Sequence, residues 1–324
     1  MWRFMLALIL TLAAAGPGQA QSNWPDRPLR LIVPLPAGSA VDVIARLMGQ
    51  RLSARLGQPV VIENRAGASG TLGVDLVAKS APDGFTIGMA TSTQLMTAPA
   101  LNAKLPYDAV RDFVPVALVG VSPYVLVIHP QVAARNVAEL ITLARAKPKT
   151  LSYSSVGSAS QAHLAGELFA AITGTELNHI PYKTSTHAVI DLSEGRIDMQ
   201  FGLVGSSLTH IREGKLRALA VTTEQRIEEL PDVPTMIESG LPGYEVSLQF
   251  TVVLPAAAPQ PIVTRLNREI GEIMATPEVK SVLARQAIHV ASSTPERLRE
   301  RIAKEIELWR GLAQKAGIKP ETGG

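Results

Sequence analysis

The sequence predicts an α/β protein of two domains joined by two crossing strands, and three observations predict it. Strand and helix patterns alternate at βαβ spacing from Leu29 to Ala90 and again from Val137 to Thr222. Two long, apolar, β-prone runs, Val116 to Ile128 and Tyr244 to Leu254, stand between and after these series. The 324 residues suffice for about two domains of ordinary size. On this reading residues 21–122 and 245–324 form a discontinuous first domain and residues 123–244 the second.

Residues 1–20 read as a signal peptide. Arg3 precedes the apolar run Phe4 to Ala15, and Gly18-Gln19-Ala20 supplies the small residues of a cleavage site before Gln21. That run is short for a membrane span, and no later stretch is long and apolar enough for one. An exported, soluble chain is expected, with an uncleaved membrane anchor as the alternative.

In the first domain, the β-branched run Leu29 to Val33 stops at Pro34 and Pro36, and Gly38 permits a turn that residues with a Cβ resist. Ile44, Met48 and Leu52 then repeat at the spacing of one helix face. A strand, short loop and helix in this order leave the first amides of the helix facing outward. Such an end favours a carboxylate or phosphate. The alternative is a plain strand-to-helix connection. Val60 to Glu63 makes a second strand, the glycine-rich loop Asn64 to Gly70 opens a helix reaching Lys79, and the turn Ala81 to Gly84 leads into a strand over Phe85 to Ala90. This alternation implies right-handed crossovers and a mostly parallel sheet.

The second series predicts helices over Val137 to Lys147, Gln161 to Thr173, His187 to Glu194 and Leu208 to Glu213. Its strands are Leu151 to Ser155, Leu177 to Tyr182, Asp198 to Val204 and Leu216 to Thr222. A turn-rich stretch, Pro231 to Pro242, precedes the return crossing. Helices follow, the clearest opened by Thr294-Pro295-Glu296, with Leu298, Ile302, Ile306 and Trp309 forming a core stripe. No internal repeat is visible.

Composition narrows the function. The net charge of +3 comes from 31 basic and 28 acidic residues spread along the chain, without the block of like charge that marks a nucleic-acid face. With no cysteine there is no disulfide, thiolate metal site or cysteine nucleophile. The six histidines lack zinc-site spacing, and neither a Walker loop nor Gly-x-Gly-x-x-Gly occurs. No metal and no cofactor are expected.

A second strand-loop-helix junction, Tyr153 to His163, carries Ser154, Ser155, Gly157, Ser158 and Ser160, and repeats the physical device of the first. If the two sheets close like jaws, both loops can hold one small anion. Ordinary serine capping of a helix is the competing explanation. Ser154, Ser155 or Ser158 with His163 and Asp198 can also be cast as a hydrolase triad, but the Gly-x-Ser-x-Gly elbow is absent. His163, on the first turn of its helix, suits the cleft wall or packing under the loop better than general-base chemistry. Tyr182 and Lys183 stand at a strand end, where they either meet a ligand or are simply solvated. Asp42 is favoured by the helix dipole yet repels an anion unless it points aside.

Several motifs occur in order: Trp24-Pro25-x-Arg27-Pro28, Val33-Pro34-x-Pro36-x-Gly38 with Asp42 and Arg46, Glu63-Asn64-Arg65-x-Gly67-Ala68-x-Gly70, and Ala81-Pro82-Asp83-Gly84-Phe85-Thr86. Tyr107-Asp108, Ser154-Ser155 through His163-Leu164, His179-x-Pro181-Tyr182-Lys183 and Leu230-Pro231-Asp232-Val233-Pro234-Thr235 follow. Together they resemble the Bug family, the extracytoplasmic solute receptors associated with tripartite tricarboxylate transporters of bacteria, over essentially the whole mature chain. The resemblance implies two Rossmann-like domains joined by two crossing strands, the type II periplasmic-binding-protein fold. It implies a periplasmic, monomeric receptor, not an enzyme, that closes on a small carboxylate-type metabolite and delivers it to membrane transporter subunits. An orphan sensor feeding a membrane signalling partner is the alternative within the family, and an exported serine hydrolase the alternative outside it. Carried over by motif, ligand contacts come from Pro36, Gly38, Ser39 and Asp42 in the first loop and Ser155, Gly157, Ser158 and His163 in the second, with Tyr182 at the cleft wall.

The chain departs from the family pattern in places. Where Pro-Gly-Gly-Ser-Thr-Asp is usual it has Ala37-Gly38-Ser39-Ala40-Val41-Asp42; Val156 stands where a glycine is often seen, and Thr184 follows Tyr182-Lys183 in place of glycine. These changes narrow the pocket or make it less polar. The expected ligand is a less polar or differently shaped carboxylate than a citrate-like tricarboxylate.

Overall fold

The structure, a computed structural model, describes residues 24–102, 104–157 and 160–315. The expected signal peptide and cleavage site fall outside the described residues. Nine strands and ten α-helices are described, together with a 3-10 turn at Ala68–Gly70 and one π-helical turn at Thr93–Thr97.

Strand β1 (Leu29–Val33) lies between the parallel neighbours β2 (Val60–Asn64) and β3 (Thr86–Thr91). Helix α1 (Ala40–Leu56) connects the first two and buries Val41, Ile44, Ala45, Met48, Leu52 and Leu56. It stops at Gly57, whose φ of 70° is the left-handed conformation that glycine adopts without a Cβ penalty. Helix α2 (Thr71–Ala78) returns the chain to β3. Its Gly73 permits a close approach, because a Cβ there would stand 2.7 Å from the Arg65 carbonyl and 2.8 Å from Pro34 Cα. That approach presses the loop after β1 against the loop after β2.

Strand β4 (Phe113–Ile128) is long enough to serve both halves of the molecule. Over Phe113 to Pro123 it pairs antiparallel with β9 (Ser247–Pro255), with register shifts between Pro115 and Ala117 and between Leu118 and Gly120. Beyond Pro123 it pairs antiparallel with β7 (Met199–Leu203) on one side and β8 (Arg217–Val221) on the other. β5 (Ser152–Ser155) then lies parallel between β7 and β6 (Asn178–Pro181). The path is β2-β1-β3-β9-β4-β7-β5-β6, with β8 attached to β4. The three βα-connected strands of each half are parallel as expected, whereas β4, β8 and β9 are antiparallel to their neighbours. Linking strands must run out of one half and back, so they cannot share the direction imposed by right-handed crossovers.

The second half adds α4 (Val137–Ala146), α5 (Gln161–Thr173), α6 (Ser185–Ser193) and α7 (Val204–Arg212). One core cluster runs through both halves, from Leu31 and Met48 to Tyr153 and Phe201. A smaller cluster, around Val125, Val127, Val189 and Leu192, fills the other face of the second half. Helices α8 (Gln260–Ala275), α9 (Pro277–Ala284) and α10 (Pro295–Lys315) complete the chain. Leu298, Ile302, Ile306 and Trp309 on α10 are buried, and burial of side chains this large is worth about 1.5–3 kcal/mol each. The helix packs on β4, on the π-helical turn and on the short helix α3 (Ala98–Leu101). Among the described residues no helix is long and apolar enough to cross a membrane.

Candidate functional site

The first loop is built around Asp42. Its Oδ2 accepts the Gly38 amide at 2.9 Å and Arg46 Nε at 2.9 Å, and its Oδ1 accepts Asn64 Nδ2 at 2.9 Å. Burial opposes the charged form, but these hydrogen bonds outweigh it and hold the carboxyl below the usual aspartate range. The carboxylate therefore points aside, into the protein, and shapes the turn. Ser39 caps the helix by accepting the Asp42 amide at 3.4 Å, and the Ser39 amide donates to the Pro36 carbonyl at 3.2 Å. Ala40 and Val41 open α1, so their amides have no intrahelical acceptor. Pro36 and Gly38 are exposed.

The second loop leaves β5 at Ser155. Ser155 Oγ donates to the Gly157 carbonyl at 3.0 Å and lies 2.7 Å from His179 Nε2. A hydroxyl has one proton, and it is committed to Gly157, so Nε2 is the donor in the second contact. Ser160 caps α5 by accepting the His163 amide at 3.2 Å. The His163 ring stacks on His179, centroids 4.1 Å apart, and both lie beside Tyr153, which donates to Glu167 Oε1 at 2.6 Å. Burial depresses the His163 pKa to about 4, so the ring is neutral at pH 7 and its 3.7 Å approach to Glu167 is not an ion pair there. His163 thus packs under the loop. Ser158 lies outside the described residues.

The loop after β2 bridges the two helix-opening loops, beside a buried polar seam. Gln94 Nε2 donates to the Ser69 carbonyl at 2.7 Å, while its Oε1 accepts the Thr91 amide and hydroxyl, each at 2.8 Å. Gly70 sits between the Gln94 side chain and the Pro34 carbonyl. Ser69 reaches across to the second loop, its Oγ 3.0 Å from where a Cβ on Gly157 would stand. Ser92 Oγ donates to Gln161 Oε1 at 2.8 Å and accepts the Gln249 amide at 3.1 Å, joining the end of β3, the start of α5 and β9 through one hydroxyl. Ser92, Gln94, Gln161 and Gln249 are all buried.

The remaining candidates sit elsewhere or face differently. Tyr182 donates its hydroxyl to Asp191 Oδ2 at 2.7 Å, and Asp191 also pairs with Arg196. Burial and this carboxylate raise the phenol pKa to about 12. Lys183 is exposed. Asp198 Oδ2 accepts the Ser152 amide and hydroxyl, each at 2.7 Å, at the opposite end of β5 from Ser155, and His163 is held in its ring stack. Ser154, Ser155, His163 and Asp198 are not assembled as a triad. Sequence reasoning missed Ser69, Ser92, Gln94 and Gln161. The available signal was the polar run Thr91-Ser92-Thr93-Gln94 directly after an apolar strand, where a solvated loop is the ordinary reading.

Two α/β halves joined through a pair of antiparallel strands, with two helix-opening loops brought to one seam, define a solute-binding receptor of the type II periplasmic-binding-protein fold. The chain belongs to the tripartite tricarboxylate transporter family receptors, whose family model matches residues 44–318. It is 39% identical to the protein BugT of Bordetella pertussis over 312 residues, covering 96% of this chain and 95% of that one. Among solved structures it is similar to R. palustris Rpa4515 with adipate, at a TM-score of 0.84 and 35% identity over 92% of this chain and 99% of that chain. It is also similar to MatC from Rhodopseudomonas palustris with bound malate, at a TM-score of 0.80 and 29% identity over 89% and 99% of the two chains.

Proposed function

We propose that this chain is a periplasmic receptor that captures a small carboxylate between two lobes, residues 21–122 with 245–324 and residues 123–244, and hands it to a tripartite tricarboxylate-type transporter. The observation that carries the reading is the bridging of the two helix-opening loops by the loop after β2, with Gly70 against Pro34 and Ser69 against Gly157. In this reading one carboxylate lies against the first amides of α1, with Pro36, Gly38 and Ser39 around it. The second loop, through Ser155 and Gly157, closes over the remainder of the ligand. Asp42 orders the first loop without touching the anion, and His163 supports the second. The similar structures with adipate and malate favour a dicarboxylate. Val41 is buried in the core and does not line the ligand space, contrary to the expectation from sequence; the partly exposed Ala40 at the opening of α1 favours a spacer less polar than citrate. Ligand contacts made only in the closed arrangement shift the population toward it, and no covalent step is needed.

A thermal-shift screen of residues 21–324 against adipate, malate, citrate and aromatic monocarboxylates tests this function. A ligand at about a hundred times its Kd adds roughly 2.7 kcal/mol of stability. A clear shift with a dicarboxylate, recovered unchanged afterwards, is the expected result. Tight citrate binding with no response to adipate or aromatic acids overturns the ligand class. Turnover of the bound compound overturns the receptor reading.

A further inference from the structure

In the parallel β5–β6 ladder, His179 pairs with Tyr153 and Pro181 with Ser155. Residues two apart share a face of a sheet, so Tyr153, Ser155 and His179 all point toward α5. This register brings His179 Nε2 to 2.7 Å from Ser155 Oγ. Ser155 is fully buried and spends its proton on the Gly157 carbonyl, which also accepts the Ser160 amide at 3.3 Å. Both bonds turn that carbonyl inward. Gly157 has φ +105°, a conformation in which its peptide plane is not held by ordinary side-chain sterics. A carbonyl oxygen swung outward there would turn negative charge toward the dicarboxylate that this loop closes over.

We propose that His179 is a positioning residue of the second loop: its Nε2–H fixes Ser155, and Ser155 fixes the Gly157 carbonyl away from the ligand space. The inference rests on the reading that this loop closes over a dicarboxylate. Stacking on His163 and Tyr153 keeps the ring in the plane that this donation needs. Nε2 carries a hydrogen both in the required neutral tautomer and in the imidazolium, so the device works in either charge state. Its donor, not its charge, is what matters.

Amide hydrogen exchange of the ligand-free chain, together with adipate affinity, tests this role in His179→Leu, His179→Gln and Ser155→Ala. His179→Leu is expected to raise exchange across residues 156–157 and 160–164 tenfold or more while leaving α1 unchanged, and to weaken adipate by a similar factor. His179→Gln, which places an amide donor near the same point, should restore both. Adding His179→Leu to Ser155→Ala should change neither exchange nor affinity further, because the first residue acts through the second. Unaltered exchange in His179→Leu, or a glutamine variant as loose as the leucine variant, overturns the assignment. Should His179→Leu fail to fold, Ser155→Ala carries the exchange test alone, and native-like exchange there overturns it too. If the wild-type chain binds none of the carboxylates, the proposed function fails, while exchange still decides the role of His179.

Discussion

Asn64, the last residue of β2, donates its side-chain amide to the Asp42 carboxylate at 2.9 Å and to the Leu35 carbonyl at 3.0 Å. Its own Oδ1 accepts Arg46 Nη2 at 3.1 Å. Asp42, Arg46 and Asn64 thus close a triangle that ties the loop after β1 to the end of the neighbouring strand. Asp42→Ala leaves the Gly38 amide without its acceptor and the Asn64 side-chain amide with the Leu35 carbonyl alone. A loss of about 2–3 kcal/mol is expected, seen as a lower urea midpoint at unchanged slope. Arg46→Ala should shift the midpoint far less, since its side chain is 54% exposed and solvent screens the pair.

The Ser92 hydroxyl, just past β3, bonds to both α5 and β9. Ser92→Ala strips a donor from Gln161 and an acceptor from the Gln249 amide in a fully buried place. Each buried group left unpaired costs about 1–3 kcal/mol. We expect destabilisation of that order and, by small-angle scattering, a larger mean radius for the ligand-free chain. A radius equal to wild type would show that this bond does not hold the halves together.

Gly166 faces the ring of Tyr153, and a Cβ there would stand 2.2 Å from Cε2. Tyr153 is fully buried, so the ring has nowhere to go without disturbing the stack beneath the second loop. Gly166→Ala is expected to cost about 1–3 kcal/mol despite the higher helix propensity of alanine. It should also weaken ligand more than a change of equal stability cost on α8 does.

Acid should act in two windows. His163 has its pKa lowered by burial to about 4 from 6.5, so between these values the unfolded chain binds more protons than the folded one. Its contribution, about 3 kcal/mol at most, is complete above pH 6.5 and is lost as the pH falls toward 4. Glu63 is held at about 2, chiefly by its hydrogen bonds with Arg30 and, against burial, with Arg65. Its contribution is present above pH 4.5 and disappears as the pH falls toward 2. Stability measured against pH should flatten between 4.5 and 6.5 in His163→Phe and not in Glu63→Gln.

Periodicity made most of the fold legible. The spacing across Gln161 to Thr173 set that helix within its observed bounds, and the stripe Leu298 to Trp309 is buried as its spacing requires. The π-helical turn at Thr93–Thr97 was not legible, because all five of its side chains are buried and no amphipathic period exists to find. The two helix-opening loops of the candidate site could be read from their prolines, glycines and serines. What each side chain would face could not. Asp42 answers to Asn64, 22 residues away, and Ser155 to His179, 24 residues away, and both meetings are set by strand register. The hydroxyl of Tyr182 turned to Asp191 for the same kind of reason, a helix packed alongside supplying a nearer acceptor.

Past Gly120 and Phe250 the ladder between β4 and β9 has neither β3 nor β7 beside it, and this short ribbon, Val121 to Pro123 against Ser247 to Gln249, links the sheets of the two halves. Such a ribbon twists and bends cheaply, whereas sliding one strand past the other would break its whole ladder of hydrogen bonds. Motion of one half against the other is thereby confined to something near a single angular coordinate. A single spectroscopic ruler, with one probe on α1 and the other on α5, would then report the entire opening coordinate of the molecule.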